Sequence, residues 1–225
     1  MLVLVIVLVA SPVFAGEQPA FKTQLDRVNY GIGVNVIRNF KQQGIDIDLD
    51  MVIKGMKDAL SGEKLIMSEG ELRKIMNDFS SELRRKQAIA RSMAATDNKR
   101  EGEAFQAENK KKEGMVILPS GLQYQVIKAS EGKKPSDADM VEFHYRGAFV
   151  NGVEFDNTYD SGKPMVVKVQ EGGGIRGWSE ALKLMPVGST WRVVIPPQLA
   201  YGDKGKGRIG PNETVIFDIE LLAIK

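Results

Sequence analysis

The 225-residue chain has no cysteine, which excludes disulfides, thiolate metal sites and a cysteine nucleophile. Its 31 Lys and Arg against 29 Asp and Glu leave a net charge of +2, no general nucleic-acid signature, and its single histidine, His144, argues against a multi-histidine zinc site or a readily assembled catalytic triad. With 43% hydrophobic residues it can build one or two cored domains.

The first residues, MLVLVIVLVASPVFA, are an apolar run closed by Val13-Phe14-Ala15. They predict a secretory signal peptide over residues 1–15, although no Lys or Arg precedes the run. The run is short for a membrane span, which needs about 20 apolar residues. No stable span is therefore expected after cleavage. Export in a bacterium is expected, to the periplasm, to the outer membrane or beyond the cell.

Residues 21–113 read as helical. Leu25–Phe40 carries Val28, Ile32, Val36 and Phe40 at helical spacing, with Gly44 as a stop. Asp48 is placed to cap a second helix, with Leu49, Val52, Ile53, Met56 and Leu60 on one face and Gly62 beyond its end. Ser68 and Glu71 have the spacing of a capping box. Leu72, Ile75, Met76, Phe79, Leu83 and Met93 continue a spacing of three to four. Beyond Met93 the apolar stripe thins to Phe105, so a solvated helix or a frayed connector is expected there. Lys110, Lys111 and Lys112 suit a helix C-terminus, where carbonyl dipoles favour positive charge, better than a nucleic-acid contact. The methionines Met51, Met56, Met67 and Met76 suit a core or a dimer seam before a client-binding surface.

Residues 115–225 change character. LQYQVIKA and DMVEFHYRGAFV alternate, and in the second Val141, Phe143 and Tyr145 share one face while Glu142, His144 and Arg146 share the other. MVVKV, TWRVVIP and TVIFDIELLAI follow, separated by glycine-containing turns. One helical pattern, Trp178–Met185, interrupts them. The class expected is α+β: an antiparallel sheet with one short helix on a face, preceded by an all-α part and a long connecting helix. The expected divisions are 1–15 signal peptide, 16–80 helical dimerisation domain, 81–114 long helical linker and 115–225 sheet domain.

VEFHYRGAFVNGVEFDNTYDSGKP, GGGIRGW, MPVGSTWRVVIPPQLAYG and IGPNETVIFDIELL, in this order, resemble the FKBP-type peptidyl-prolyl cis/trans isomerase domain. The helical segment GVNVIRNFKQQGIDID resembles the N-terminal dimerisation domain of the macrophage infectivity potentiator (Mip) subfamily. The resemblance implies a sheet wrapped around the short helix, and an enzyme that twists X–Pro bonds with no cofactor and no metal. It carries a pocket onto Tyr145, Phe155, Asp156, Ile175, Trp178, Tyr201 and Phe217, with Ile209, Met165 and Gly174 as further substrate contacts. Trp178 is the implied floor, a flat apolar seat for a proline ring. Gly174 stands where a valine is common in the family and Met165 where an aromatic is common; both are expected to soften a wall. The implied partners are proline-containing unfolded or nascent exported proteins, a second copy of the chain through the N-terminal helices, and macrolide inhibitors, with no nucleic acid. A holdase chaperone and a surface virulence-associated binding protein are the competing functions, and His144 is expected to be structural.

Overall fold

The computed structural model describes residues 21–62, 64–170 and 174–225, and the expected signal peptide lies outside them. Two compact units divide between residues 73 and 74.

The first unit is built of helices α1, Gln24–Gln42, and α2, Leu49–Ser61, and contains the start of α3, Glu69–Asn109. Each helix begins on a side chain that meets orphaned amides. Thr23 accepts from the Asp26 amide while Asp26 accepts from the Thr23 amide. Asp48 accepts from the amides of Asp50 and Met51. Ser68 and Glu71 form the expected box, at 2.9 and 3.3 Å. Gly44 and Gly62, at φ of +66° and +70°, take the left-handed backbone that ends α1 and α2. No residue of α1 or α2 is buried.

The second unit contains the rest of α3 and a seven-stranded antiparallel sheet. Its strands are β1, Met115–Ile117; β2, Gln123–Lys128; β3, Met140–Phe149; β4, Glu154–Asn157; β5, Met165–Lys168; β6, Thr190–Ile195; and β7, Val215–Ile224. They lie in the order β1-β2-β6-β7-β3-β4, with β5 also paired to β3. The short helix α4, Arg176–Leu182, packs on one face, and a single 3-10 turn spans Pro197–Leu199. Alternation on β3 and β7 sends Val141, Phe143, Tyr145, Val215, Phe217, Ile219 and Leu221 into the core against Trp178, Ala181 and Leu182 of α4. Gly177 is required for this packing, because a Cβ there would lie 2.4 Å from Ile195 Cγ2.

Helix α3 runs 41 residues, about 60 Å at 1.5 Å per residue. Its polar second half is neither frayed nor wholly solvated. Gly102 and Asn109 are buried, and Asn109 donates to Gln123 Oε1 at 2.9 Å while Gln123 donates back to the Gln106 carbonyl at 3.0 Å. The sequence carries no apolar stripe here because amides, not hydrocarbon, make the contact.

Candidate active site

Three aromatic side chains converge on Trp178. Phe143 meets it edge-on at 5.4 Å between centroids, Phe217 edge-on at 5.1 Å, and Tyr145 tilted at 5.1 Å. Phe217 in turn meets Tyr145 and Phe155, each at 5.7 Å. Offset and edge-on contacts suit the ring quadrupoles and hold the indole rigidly. Trp178 sits in the first turn of α4, whose N-cap is Ile175. Ile175 itself carries no side-chain cap, so the chain enters the helix on bare backbone.

Register explains how neighbouring residues reach one wall. Across β7, β3 and β4, Phe217 pairs with Gly147 and Gly147 with Asp156, so the three share a face. Strict alternation would turn Phe155 to the other face. The register shifts at that point, Ala148 pairing with Glu154, and leaves Phe155 as an extra residue in a bulge. Both Phe155 and Asp156 therefore serve the same wall. Gly147 lacks the Cβ that would lie 2.7 Å from Phe217 Cε1 and 2.8 Å from Phe155 Cε2. The sequence reading did not single out Gly147; the signal was a glycine at a core-facing position of an alternating strand.

The polar rim is small. Tyr145 Oη donates to Asp156 Oδ2 at 2.6 Å, and Asp156 is exposed. Burial pushes the Tyr145 phenol far above its usual range, and the hydrogen bond and charge of Asp156 push the same way. Burial also raises the Tyr201 phenol, with the charge of Asp156 adding to it. Tyr201 follows the 3-10 turn, and Ile209 is buried among the core residues that include Trp178.

Met165 and Gly174, the other two expected contacts, also border the aromatic cluster. Met165 pairs with Phe143 at the start of β5 and packs on the core. Gly174 lies against the indole, where a Cβ would stand 2.8 Å from Trp178 Cε3. With this backbone a valine there would press on the indole. His144 lies on the other side of β3, its Nδ1 2.8 Å from Thr158 Oγ1 and its ring stacked on Tyr159 at 4.6 Å. It does not join the aromatic cluster around Trp178.

Residues 25–126 match the domain amino terminal to FKBP-type peptidyl-prolyl isomerase, and residues 131–222 match the FKBP-type peptidyl-prolyl cis-trans isomerase. The chain is similar to the outer membrane protein MIP of Legionella longbeachae, at 44% identity over 94% of this chain and 90% of that protein. It is 37% identical to the peptidyl-prolyl cis-trans isomerase Mip of Coxiella burnetii, over 91% of this chain and 88% of the relative. The crystal structure of FkpA from Escherichia coli superposes with a TM-score of 0.67 at 34% identity, covering 92% of this chain and 99% of that one. Among the described residues no helix is long and apolar enough to cross a membrane. The bulged aromatic wall, the buried indole and the preceding helical domain thus occur together in a chain that belongs to the FKBP-type peptidyl-prolyl cis-trans isomerases, among relatives of the Mip and FkpA kind.

Proposed function

We propose that this enzyme twists X–Pro bonds of exported proteins on the Trp178 floor, and that it works as a homodimer joined through its N-terminal helices. The observation that carries the catalytic reading is the ring of Tyr145, Phe143 and Phe217 around a buried indole. Amide resonance sets a barrier of about 18–20 kcal/mol to the twist. The cis and trans forms of an X–Pro bond differ by only about 1 kcal/mol, so a catalyst needs to act on the barrier alone. Twisting breaks the resonance that polarises the planar imide. An apolar aromatic seat disfavours that polarised form and so favours the twisted one. A millionfold acceleration asks for about 8 kcal/mol of differential binding.

The roles proposed for the site residues are those that the family resemblance implies. Trp178, Phe155, Phe217, Tyr145 and Ile209 enclose the proline ring, the Ile175 amide aligns the substrate backbone, Tyr201 donates to a substrate carbonyl, and Asp156 orients Tyr145 through their hydrogen bond. Met165 and Gly174 shape the margins. Macrolides are expected to compete for the same seat.

Support for a dimer is the unburied apolar surface of the first unit. Val34, Ile37, Leu49, Val52, Ile53 and Met56 line an apolar groove of about 490 Å³ between α1 and α2. Leu25, Met51 and Leu60 are 65%, 59% and 90% exposed. A two-fold pair covers such faces with one self-complementary contact. Export is favoured by the leading apolar run and by a relative named as an outer membrane protein. The test of the proposal is a refolding assay on a protein whose slow phase is proline isomerisation. Acceleration that a macrolide abolishes supports it; an unchanged slow phase rejects it.

A further inference from the structure

The second half of α3 has a polar stripe that reads as solvated surface but is docked. Arg91, Ala95, Asn98, Gly102, Gln106 and Asn109 recur every three or four residues, hence on one helical face. Two amides cross the seam in opposite directions. Asn98 Nδ2 donates to the Pro211 carbonyl at 2.9 Å, and Asn212 Nδ2 donates to the Ala95 carbonyl at 3.2 Å. Arg91 donates to the Lys204 carbonyl, and Gln106 donates to Thr214 Oγ1 at 3.2 Å. At Gly102 the two surfaces touch: a Cβ there would lie 2.3 Å from Thr214 Oγ1.

All of these contacts fall on residues 204–214, the segment that carries Ile209 into the core cluster that includes Trp178 and begins just after Tyr201. Asn212 ties both ends of the loop together. It alone among described non-glycine residues has a positive φ, 56°. Its backbone N–H donates to the Gly202 carbonyl at 2.9 Å while its side chain reaches α3. Inside the loop, Lys206 and Ile209 exchange backbone hydrogen bonds at 2.9 and 3.0 Å. Arg208 donates to the Phe155 carbonyl at 3.4 Å. The loop is thus held by the pocket on one side and by the helix on the other.

We infer that Asn98, Gly102 and Asn212 are positioning residues for prolyl isomerisation: by fastening segment 202–214 to α3 they hold Tyr201 and Ile209 in place over the substrate. This rests on the pocket assignment above. A loop left to its own hairpin would sample positions in which Tyr201 and Ile209 no longer close on the proline ring. The loss would fall on substrate binding more than on the twist itself, because the aromatic floor belongs to other elements.

The test uses the full-length chain and three variants, Asn98→Ala, Gly102→Ala and Asn212→Gly. The last keeps a residue at ease with positive φ and removes only the amide that reaches Ala95. Asn98→Ala and Asn212→Gly are each expected to raise KM about three- to tenfold with kcat within about twofold, the scale of one lost hydrogen bond, and Gly102→Ala, which forces Thr214 away from α3, to shift KM in the same direction. Amide exchange over 202–213 is expected to quicken while exchange in β3 and β7 stays at its wild-type rate. Wild-type KM in Asn212→Gly and Asn98→Ala overturns the inference, and so does faster loop exchange with unchanged KM. Should Gly102→Ala unfold, Asn212→Gly decides. Phe155→Ala, measured alongside, separates the two failures: if it too leaves turnover unchanged, the pocket assignment falls, whereas strong loss there with none in the seam variants rejects the positioning role alone.

Discussion

Tyr145 Oη and Asp156 Oδ2 lie 2.6 Å apart, a hydrogen bond between a buried phenol on β3 and an exposed carboxylate on β4. The pair joins the apolar floor to the polar rim. Such a bond, with a charged acceptor, contributes more than a neutral one, about 1.5–3 kcal/mol.

Tyr145→Phe keeps the ring in its contacts with Trp178 and Phe217 and releases the carboxylate. A fall in kcat/KM of about tenfold is expected for this variant and for Asp156→Ala. The double variant is expected to lose no more than the larger single effect, because both act through one bond. Steady-state kinetics on an Ala-Pro peptide checks this; full additivity would count against it.

Gly147→Ala puts a Cβ 2.7 Å from Phe217 and 2.8 Å from Phe155. Both rings must move, and overpacking of this kind costs about 1–3 kcal/mol. Thermal denaturation should show a lower Tm, and peptide turnover should fall with it. An unchanged Tm and an unchanged rate would show that the wall has slack that the packing denies.

The raised phenols of Tyr145 and Tyr201 set a pH dependence whose sign is fixed. Each keeps its proton in the folded chain after the unfolded chain, with an ordinary value of 10.0, has lost it. The folded chain then binds more protons, so stability from these groups is intact below pH 10 and is lost as the pH rises above it. Denaturant titrations at pH 8, 9 and 10.5 are expected to show a flat unfolding free energy and then a fall. Tyr145→Phe should flatten the alkaline fall.

His144→Ala is expected to leave kcat/KM within about twofold, because the ring stacks on Tyr159 behind β3 and touches the pocket only through Thr158. A collapse of turnover in a variant that still melts cooperatively would give the histidine a part in the chemistry.

Charged substitution of Leu25 or Met51, both exposed apolar residues of the first unit, is expected to convert a dimeric mass to a monomeric one in light scattering. Peptide turnover should stay near wild type. A wild-type chain that is monomeric at micromolar concentration would remove the dimer from the account.

The helices α1 and α2 were legible to within two residues, since Asp48, Gly44 and Gly62 signal their ends chemically and their apolar spacing is regular. The sheet was legible from alternation in its long strands. The short strands β1 and β4, of three and four residues, were not, because so few positions carry no period. That Trp178, Tyr145 and Phe217 lie together could be read from the order of the family motifs, and their rings are in contact. The bulge that brings Phe155 beside Asp156 depends on register, which one strand's sequence does not encode. The docking of Asn98 and Gly102 was hidden for another reason: a polar helix face looks the same whether water or carbonyls meet it.

The central claim is that the aromatic wall around Trp178 lowers the barrier to prolyl rotation, and the most direct measurement is the exchange rate of an Ala-Pro peptide between cis and trans, followed by NMR with a catalytic amount of enzyme. The wild-type chain is expected to speed exchange, and Phe155→Ala, which opens that wall, to lower kcat/KM by about a hundredfold while the sheet stays folded. Exchange at the uncatalysed rate with folded wild-type protein, or a Phe155→Ala variant as fast as wild type, would contradict it.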